Sequence, residues 1–309
     1  MKLRNVLTVG AAGFGIWQLM RQRERANAVS LKNKVVVITG ASSGIGRAAA
    51  KIFSAQGAHT VLVARRANIL AEVQSELQAS FDTHVLTIAA DVTNEEDIQN
   101  IVQATLDEFG RIDVLVNNAG IVKGGYLEEK DFASWQSIIE VNLTAVVRLT
   151  QAVLPIMKEQ YSGHIVNVSS VVSFAATPGQ AVYVATKSGM NGFSESLRRE
   201  VSDFNINVSI VMPGFTDTPM NEGRAEKIQE VGGEAAEAIA QFESADYVAS
   251  NIVAAVRYQK AQVTLGGVPM QMMQALHSIS PKFLDFIYTQ LATPKDLVEI
   301  AELEDTKSN

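Results

Sequence analysis

The stretch VVVITGASSGIGRAAAKIF, residues 35–53, decides how the rest of the chain is read. Val35–Thr39 is a run of β-branched residues with no polar alternation. Such a run fits a strand buried on both faces, as in a parallel sheet covered by helices. It breaks at Gly40, and Gly40, Gly44 and Gly46 lead into a helix predicted from about Ile45 to Gln56 and ended by Gly57. A glycine loop between a buried strand and a helix offers free N–H groups and the positive end of the helix dipole, which suits a phosphate. Glycine also lets the backbone approach that anion closely.

Outward from this stretch the alternation repeats. Thr60–Ala64 reads as a second strand, Asn68–Ala79 as a helix, Val85–Ala90 as a third strand, and Asn94–Phe109 as a helix closed by Gly110. Ile112–Val116 is a fourth strand. Ile165–Ser169 is a fifth, flanked by long helical stretches at about Asp131–Gln160 and Gln180–Asp203. Asn207–Val211 and Val263–Leu265 read as the sixth and seventh. The expected fold is α/β: a doubly wound parallel sheet of about seven strands with helices on both faces. Ligands of such sheets bind beyond the carboxyl ends of the strands. Three parts are expected: an apolar and basic segment over 1–30, a catalytic domain over 31–267 and an extension over 268–309.

Composition narrows the chemistry. The 309 residues are 47% hydrophobic and 19% charged, enough apolar residue for a large core. Cysteine is absent, which excludes disulfides, cysteine-ligated metal and a thiol nucleophile. The four histidines (His59, His84, His164, His277) have no zinc-site spacing, so no metal is expected. A net charge of −7 argues against nucleic acid as a partner. That charge is uneven. Residues 1–34 carry seven basic residues against Glu24 alone, leaving nineteen basic and thirty-two acidic residues in the remainder. Val6 to Met20 has no charge and is followed by Arg21, Arg23 and Arg25. Fifteen residues is short of the usual ~20 for a spanning helix. A membrane anchor fits the basic stop and the position of Trp17, and would keep the body on the cytoplasmic face. An apolar helix packed on the protein or on a partner subunit is the competing reading. A cleaved signal peptide fits less well, because the arginines precede the Ala26-Asn27-Ala28 site.

The second strand ends Val63-Ala64-Arg65-Arg66. An acid near here would hold an adenosine ribose; a guanidinium fork instead suits a 2′-phosphate. Ala64 supplies no acid, so Arg65 favours NADP(H) over NAD(H), although arginines also stand at ordinary solvated strand ends. Tyr183 and Lys187 share one helix face at i and i+4. A cation about 4 Å from a phenol, at an effective dielectric near 20, is worth ~4 kcal/mol, or about three pKa units. That would poise Tyr183 for proton exchange with a carbonyl or alcohol oxygen. Ser170 sits at a strand's carboxyl end and could donate to the same oxygen. Asn117-Asn118-Ala119-Gly120 follows the fourth strand, where a cofactor edge would lie, and Asp91 follows the third. The competing readings are turn chemistry for Ser170, an Asn/Gly turn, the more common meaning of such a string, for 117–120, and a helix cap for Asp91. Gly40-Ala41-Ser42-Ser43-Gly44 also reads as a G-x-S-x-G nucleophile elbow with Ser42 as nucleophile, but only the apolar tail precedes it, where a hydrolase has earlier strands.

These residues together resemble the short-chain dehydrogenase/reductase family over about Lys34 to Gly267. The similarity rests on T-G-x-x-x-G-x-G at Thr39 to Gly46, Asp91, N-N-A-G at Asn117 to Gly120, Asn142, Ser170, Tyr183-x-x-x-Lys187, and Pro213-Gly214 with Thr218. The resemblance implies a catalytic tetrad of Asn142, Ser170, Tyr183 and Lys187. It implies cofactor contacts from Gly40, Ser42, Ser43, Ile45, Gly46, Arg65, Asp91, Val92, Asn118, Ala119, Gly120, Tyr183, Lys187, Pro213, Gly214, Thr216 and Thr218. It implies further that Tyr183 is the acid, Ser170 holds the substrate oxygen, Lys187 binds the nicotinamide ribose, and Asn142 holds a relay water by bending its helix. A homodimer or homotetramer is implied through the two long helices. Ser43 stands where some NADP-preferring members carry a basic residue.

The expected activity is NADP(H)-dependent reduction of a carbonyl, or oxidation of the alcohol, on a small-to-medium lipophilic substrate. A non-catalytic NADP(H)-binding regulator is the alternative, and the intact tetrad argues against it. The substrate lid is expected between about Phe215 and Ala245. Phe174, Phe215 and Met220 fit either an apolar pocket or core packing. The apolar stretch after Gly267 would roof the substrate site, pack on a second subunit or lie on a membrane surface.

Overall fold

The computed structural model describes residues 28–223, 227–228, 242–280, 282–283, 285–286 and 293–302. The apolar segment 6–20 and the middle of the expected lid, 229–241, lie outside the described residues.

The strands are β1 (Val35–Thr39), β2 (His59–Ala64), β3 (Val85–Ala89), β4 (Val114–Asn117), β5 (Gly163–Val168) and β6 (Ile206–Met212). Two-residue strands β7 (Thr216–Asp217) and β8 (Glu243–Ser244) follow, and then β9 (Gln262–Thr264). Seven of these form one parallel sheet in the order β3-β2-β1-β4-β5-β6-β9, while β7 and β8 pair with each other. The strand order reverses between β1 and β4, and a crevice opens there beyond the strands' carboxyl ends.

The helices are α1 (Gly44–Ala55), α2 (Ala67–Ser80), α3 (Glu95–Phe109), α4 (Phe132–Ile139), α5 (Ala145–Glu159), α6 (Ala181–Glu200), α7 (Ala245–Arg257), α8 (Gly267–Ile279) and α9 (Pro294–Glu302). The unbroken apolar run of β1 is explained by what covers it. Val36 and Ile38 face Phe53 of α1, Leu70 of α2 and Ile252 of α7. Val35 and Val37 face the other way, onto Ile98 of α3, Leu149 of α5 and Leu197 of α6. Each such valine or isoleucine, fully buried, contributes about 1.5–3 kcal/mol.

The helix expected over about 131–160 is one continuous stretch only in sequence. Asp131 caps α4, its Oδ1 accepting from Ser134 N at 2.8 Å, and a π-helical turn, Glu140–Thr144, separates α4 from α5. Phe132–Glu159 is, among the described residues, the stretch long and apolar enough to cross a membrane. Its apolar residues Leu149, Val153 and Met157 are in the core. Phe174 is also core, packed with Met212, Met270 and Met273, whereas Phe215 meets Phe242 in a tilted pair with ring centres 5.5 Å apart.

Two polar arrangements fix the centre of the sheet. Asn117 of β4 donates from Nδ2 to Asn167 Oδ1 of β5 (2.8 Å) and to Thr150 Oγ1 of α5 (3.2 Å). Asn167 Nδ2 then donates to Ser194 Oγ of α6 at 2.7 Å. At the amino ends of the strands, buried Asp113 accepts from Lys34 Nζ, Arg111 and the Val35 amide. Burial pushes its carboxyl pKa up, but these donors outweigh it and hold the group below its usual value.

Candidate active site

A cleft of about 880 Å³ opens at the carboxyl ends of β1, β2, β4, β5 and β6. Its floor is the glycine loop. Gly40 has φ +67°, which favours glycine, and a Cβ there would lie 2.9 Å from Asn118 Nδ2. A Cβ at Gly46 would collide with the carbonyl oxygen of Gly40, so α1 can start this close to β1 only with glycine. Thr39 fastens the loop to the strand beside it. Its Oγ1 donates to Val116 O (3.3 Å) and accepts from the amides of Asn118 and Ala119 (3.0 Å each). Asn118 Nδ2 donates in turn to Thr39 O at 2.9 Å.

At one end of the cleft β2 delivers Ala64, Arg65 and Arg66. Arg66, which the sequence reading left without a role, reaches the glycine loop: its Nη2 donates to Ser42 Oγ at 3.0 Å and to Ser43 Oγ at 3.4 Å. Ser42 therefore faces a guanidinium, which cannot take up a proton and so cannot serve as its base. Asp91 closes the turn after β3, its Oδ1 accepting from the amide and hydroxyl of Thr93 (2.9 and 2.8 Å).

At the other end stand Ser170, Tyr183 and Lys187. Ser170 follows β5 and its Oγ accepts from Val172 N at 3.3 Å. Tyr183 and Lys187 lie one turn apart on α6, with Lys187 Nζ 5.7 Å from the phenol ring centre. Lys187 is only 4% exposed; its Nζ donates to Val168 O at 2.9 Å, and burial pushes its pKa down to about 8. Asn142 does not line the cleft but stands directly behind it, fully buried in the π turn. Its carboxamide grips the loop after β4, Nδ2 donating to Ile121 O (2.8 Å) and Oδ1 accepting from Ile121 N (2.9 Å). A Cβ at Gly120 would lie 3.2 Å from Asn142 Oδ1 and 3.8 Å from Lys187 Nζ, so these two groups flank one bare backbone position.

The remaining expected residues fall into place around these. Gly40, Ser42, Ser43, Ile45, Arg65, Asp91, Val92, Asn118, Ala119, Gly120, Pro213, Gly214, Thr216 and Thr218 all line the cleft, and Gly46 sits beneath Gly40. Met220 lines it as well. Among the described residues no cluster of metal-ligating side chains occurs.

A family model described as short chain dehydrogenase matches residues 34–229. The chain belongs to the short-chain dehydrogenase/reductase family. It is thus a member of an oxidoreductase family. One relative, the 3-oxoacyl-acyl-carrier-protein reductase of Thermotoga maritima, is 40% identical over 203 residues, 65% of this chain and 81% of its own. Nodulation protein G of a Rhizobium species is 36% identical over 252 residues, covering 78% and 98% of the two chains. Among solved structures, L-sorbose reductase of Gluconobacter frateurii, complexed with NADPH and L-sorbose, superposes with a TM-score of 0.70 at 32% identity over 76% of this chain and 95% of that one. Levodione reductase gives a TM-score of 0.71 at 30% identity, over 78% and 98%.

Proposed function

We propose that this member of the family is an NADP(H)-dependent reductase of carbonyl groups, acting on small-to-medium lipophilic substrates. The observation that carries the reading is one cleft with two chemistries at its ends: a phenol, hydroxyl and ammonium at one, a paired-arginine cradle at the other. The residues fit a dinucleotide. Gly40 and Gly46 leave backbone where a side chain would block a pyrophosphate; Arg66 reaches the serine hydroxyls of the glycine loop and Arg65 lines the same end of the cleft, where a 2′-phosphate would sit. The NADPH in the sorbose reductase structure supports the same choice.

When bound, the nicotinamide supplies the hydride. Tyr183 donates its phenolic proton to the oxygen of the substrate carbonyl as that oxygen gains charge. Ser170 holds the oxygen by a hydrogen bond. Lys187, a cation on the same face of α6, favours the phenolate that Tyr183 becomes. Asn142 holds the backbone at Ile121, with Gly120 between it and Lys187, on the path by which a proton is resupplied. The chain is proposed to work as a homodimer or homotetramer, tethered by residues 6–20 to the cytoplasmic face of a membrane. Exposed Ile279, Phe283 and Phe286 on the carboxy-terminal extension favour contact with lipid.

The test is incubation with NADPH and a panel of aldehydes, ketones and 3-oxoacyl thioesters, followed at the nicotinamide absorbance band. Turnover that disappears in Tyr183→Phe while NADPH binding persists is expected. Binding without oxidation across the panel would replace the enzyme by a regulator, and full activity in Tyr183→Phe would overturn the assignment of the acid.

A further inference from the structure

The nine residues of α9 seat against the loops on either side of the cleft's substrate end. A Cβ at Gly124 would collide with the backbone carbonyl of Ala301. A Cβ at Gly179 would lie 2.9 Å from Ala301 Cβ and 3.0 Å from Val298 Cα. Ala301 and Val298 are each 2% exposed, so the helix is packed there and not merely adjacent. Gly125 N donates to Gly179 O at 2.9 Å, which joins the two loops directly under the helix.

Those loops define the substrate's approach. One leaves β4 through Ile121 and Lys123, which line the cleft. The other connects Ser170 to Tyr183, and a carbonyl oxygen must reach both. A third element is attached by charge. Lys227 Nζ lies 3.5 Å from Glu299 Oε2, in the chain that follows cleft-lining Met220 and Asn221; Lys295 Nζ is a weaker competitor at 3.9 Å. One short helix thus braces three segments at the substrate end of the cleft.

We infer that α9 is a positioning element for the substrate carbonyl. By seating on Gly124 and Gly179 it fixes the gap between the loop after β4 and the loop from Ser170 to Tyr183. This inference rests on the proposed reductase activity. Misplacement of a bound group by an ångström is enough to lose about 10²-fold in turnover, so a brace outside the cleft controls efficiency inside it.

The experiment compares the full chain with one stopped after Thr293 and with Val298→Asp, using the panel carbonyl that the full chain reduces. In both variants kcat/KM for that carbonyl falls tenfold or more, while the Kd for NADPH, read by its fluorescence, stays within twofold. Glu299→Lys lowers kcat/KM severalfold, and the double exchange Lys227→Glu with Glu299→Lys restores it. Val298→Asp keeps the test decisive if the shortened chain does not fold. Unchanged kcat/KM in the folded variants, or NADPH binding lost in parallel with it, overturns the inference. Failure of the full chain to oxidise NADPH with any carbonyl is a different result, and refutes the reductase reading instead.

Discussion

Replacing Lys187 by methionine should abolish turnover and stabilise the fold. Lys187 is 4% exposed, and burial pushes its pKa from 10.5 down to about 8. At about 1.4 kcal/mol per pKa unit, holding the charge in the folded protein costs about 3 kcal/mol at pH 7. The sign follows from linkage. The folded pKa lies below the unfolded one, so between pH 8 and 10.5 the unfolded chain binds more protons and wild-type stability rises with pH. Methionine carries no charge and fits a similar space. It leaves Val168 O without its 2.9 Å donor, which costs about 1–2 kcal/mol. The variant is therefore expected to be about 1–2 kcal/mol more stable at pH 7. That advantage shrinks by more than about 2 kcal/mol by pH 10, where most of the burial cost has been relieved in the wild type. The assay is urea unfolding of cofactor-free protein at pH 7, 8.5 and 10 with a common m value. A variant less stable than wild type at pH 7, with no relative change up to pH 10, would refute the reasoning.

Arg66→Ala should raise KM for NADPH about tenfold or more and leave KM for NADH within twofold, measured by initial rates with each nucleotide; equal losses would assign the arginine to structure alone. Gly46→Val should fail to fold or lose cofactor binding, because its Cβ meets Gly40 O; a thermal melt with and without NADPH reads this. His164 is buried, with its Nε2 2.7 Å from Ser209 Oγ, and burial pushes its pKa down to about 3. The folded pKa is below the unfolded 6.5, so its contribution is complete above pH 6.5 and is lost as pH falls toward 3. Between pH 7 and 5 the loss is about 2 kcal/mol, and His164→Asn should remove that slope in urea titrations. Asn142→Leu should cut kcat at least tenfold with NADPH affinity little changed, in steady-state and binding measurements run together.

Much of this molecule was legible in its residues because the signals were local. An uninterrupted β-branched run such as Val35–Thr39 has few explanations other than a strand covered on both sides, and it has two core clusters on its two faces. Gly110, expected to close a helix, does so at φ +69°. The features that escaped are those set by packing between distant segments. Helical periodicity runs smoothly through Asn142, so the bend there was implied by the family resemblance alone, and its form as a π turn by nothing in the pattern. β7 and β8 are two residues each, too short for any alternation to show. Arg65 and Arg66 are equivalent as sequence, and only the path of the chain after β2 decides that Arg66 meets Ser42. Gly124 and Gly179 read as ordinary turn glycines until a helix more than a hundred residues later lies on them.

The contact between Asn117 and Asn167 has a consequence for assembly of the cleft. The two residues are direct partners across β4 and β5, and both are buried. Sliding one strand by a single residue would turn each amide to the opposite face and strand its donors among apolar side chains, a penalty of several kcal/mol in all. β4 ends at Asn117, directly before Asn118, and β5 ends at Val168, two residues before Ser170, so the amide pair acts as an index mark between the strand that leads to Asn118 and the strand that leads to Ser170. The distance across the cleft is set in the core, before any ligand enters it.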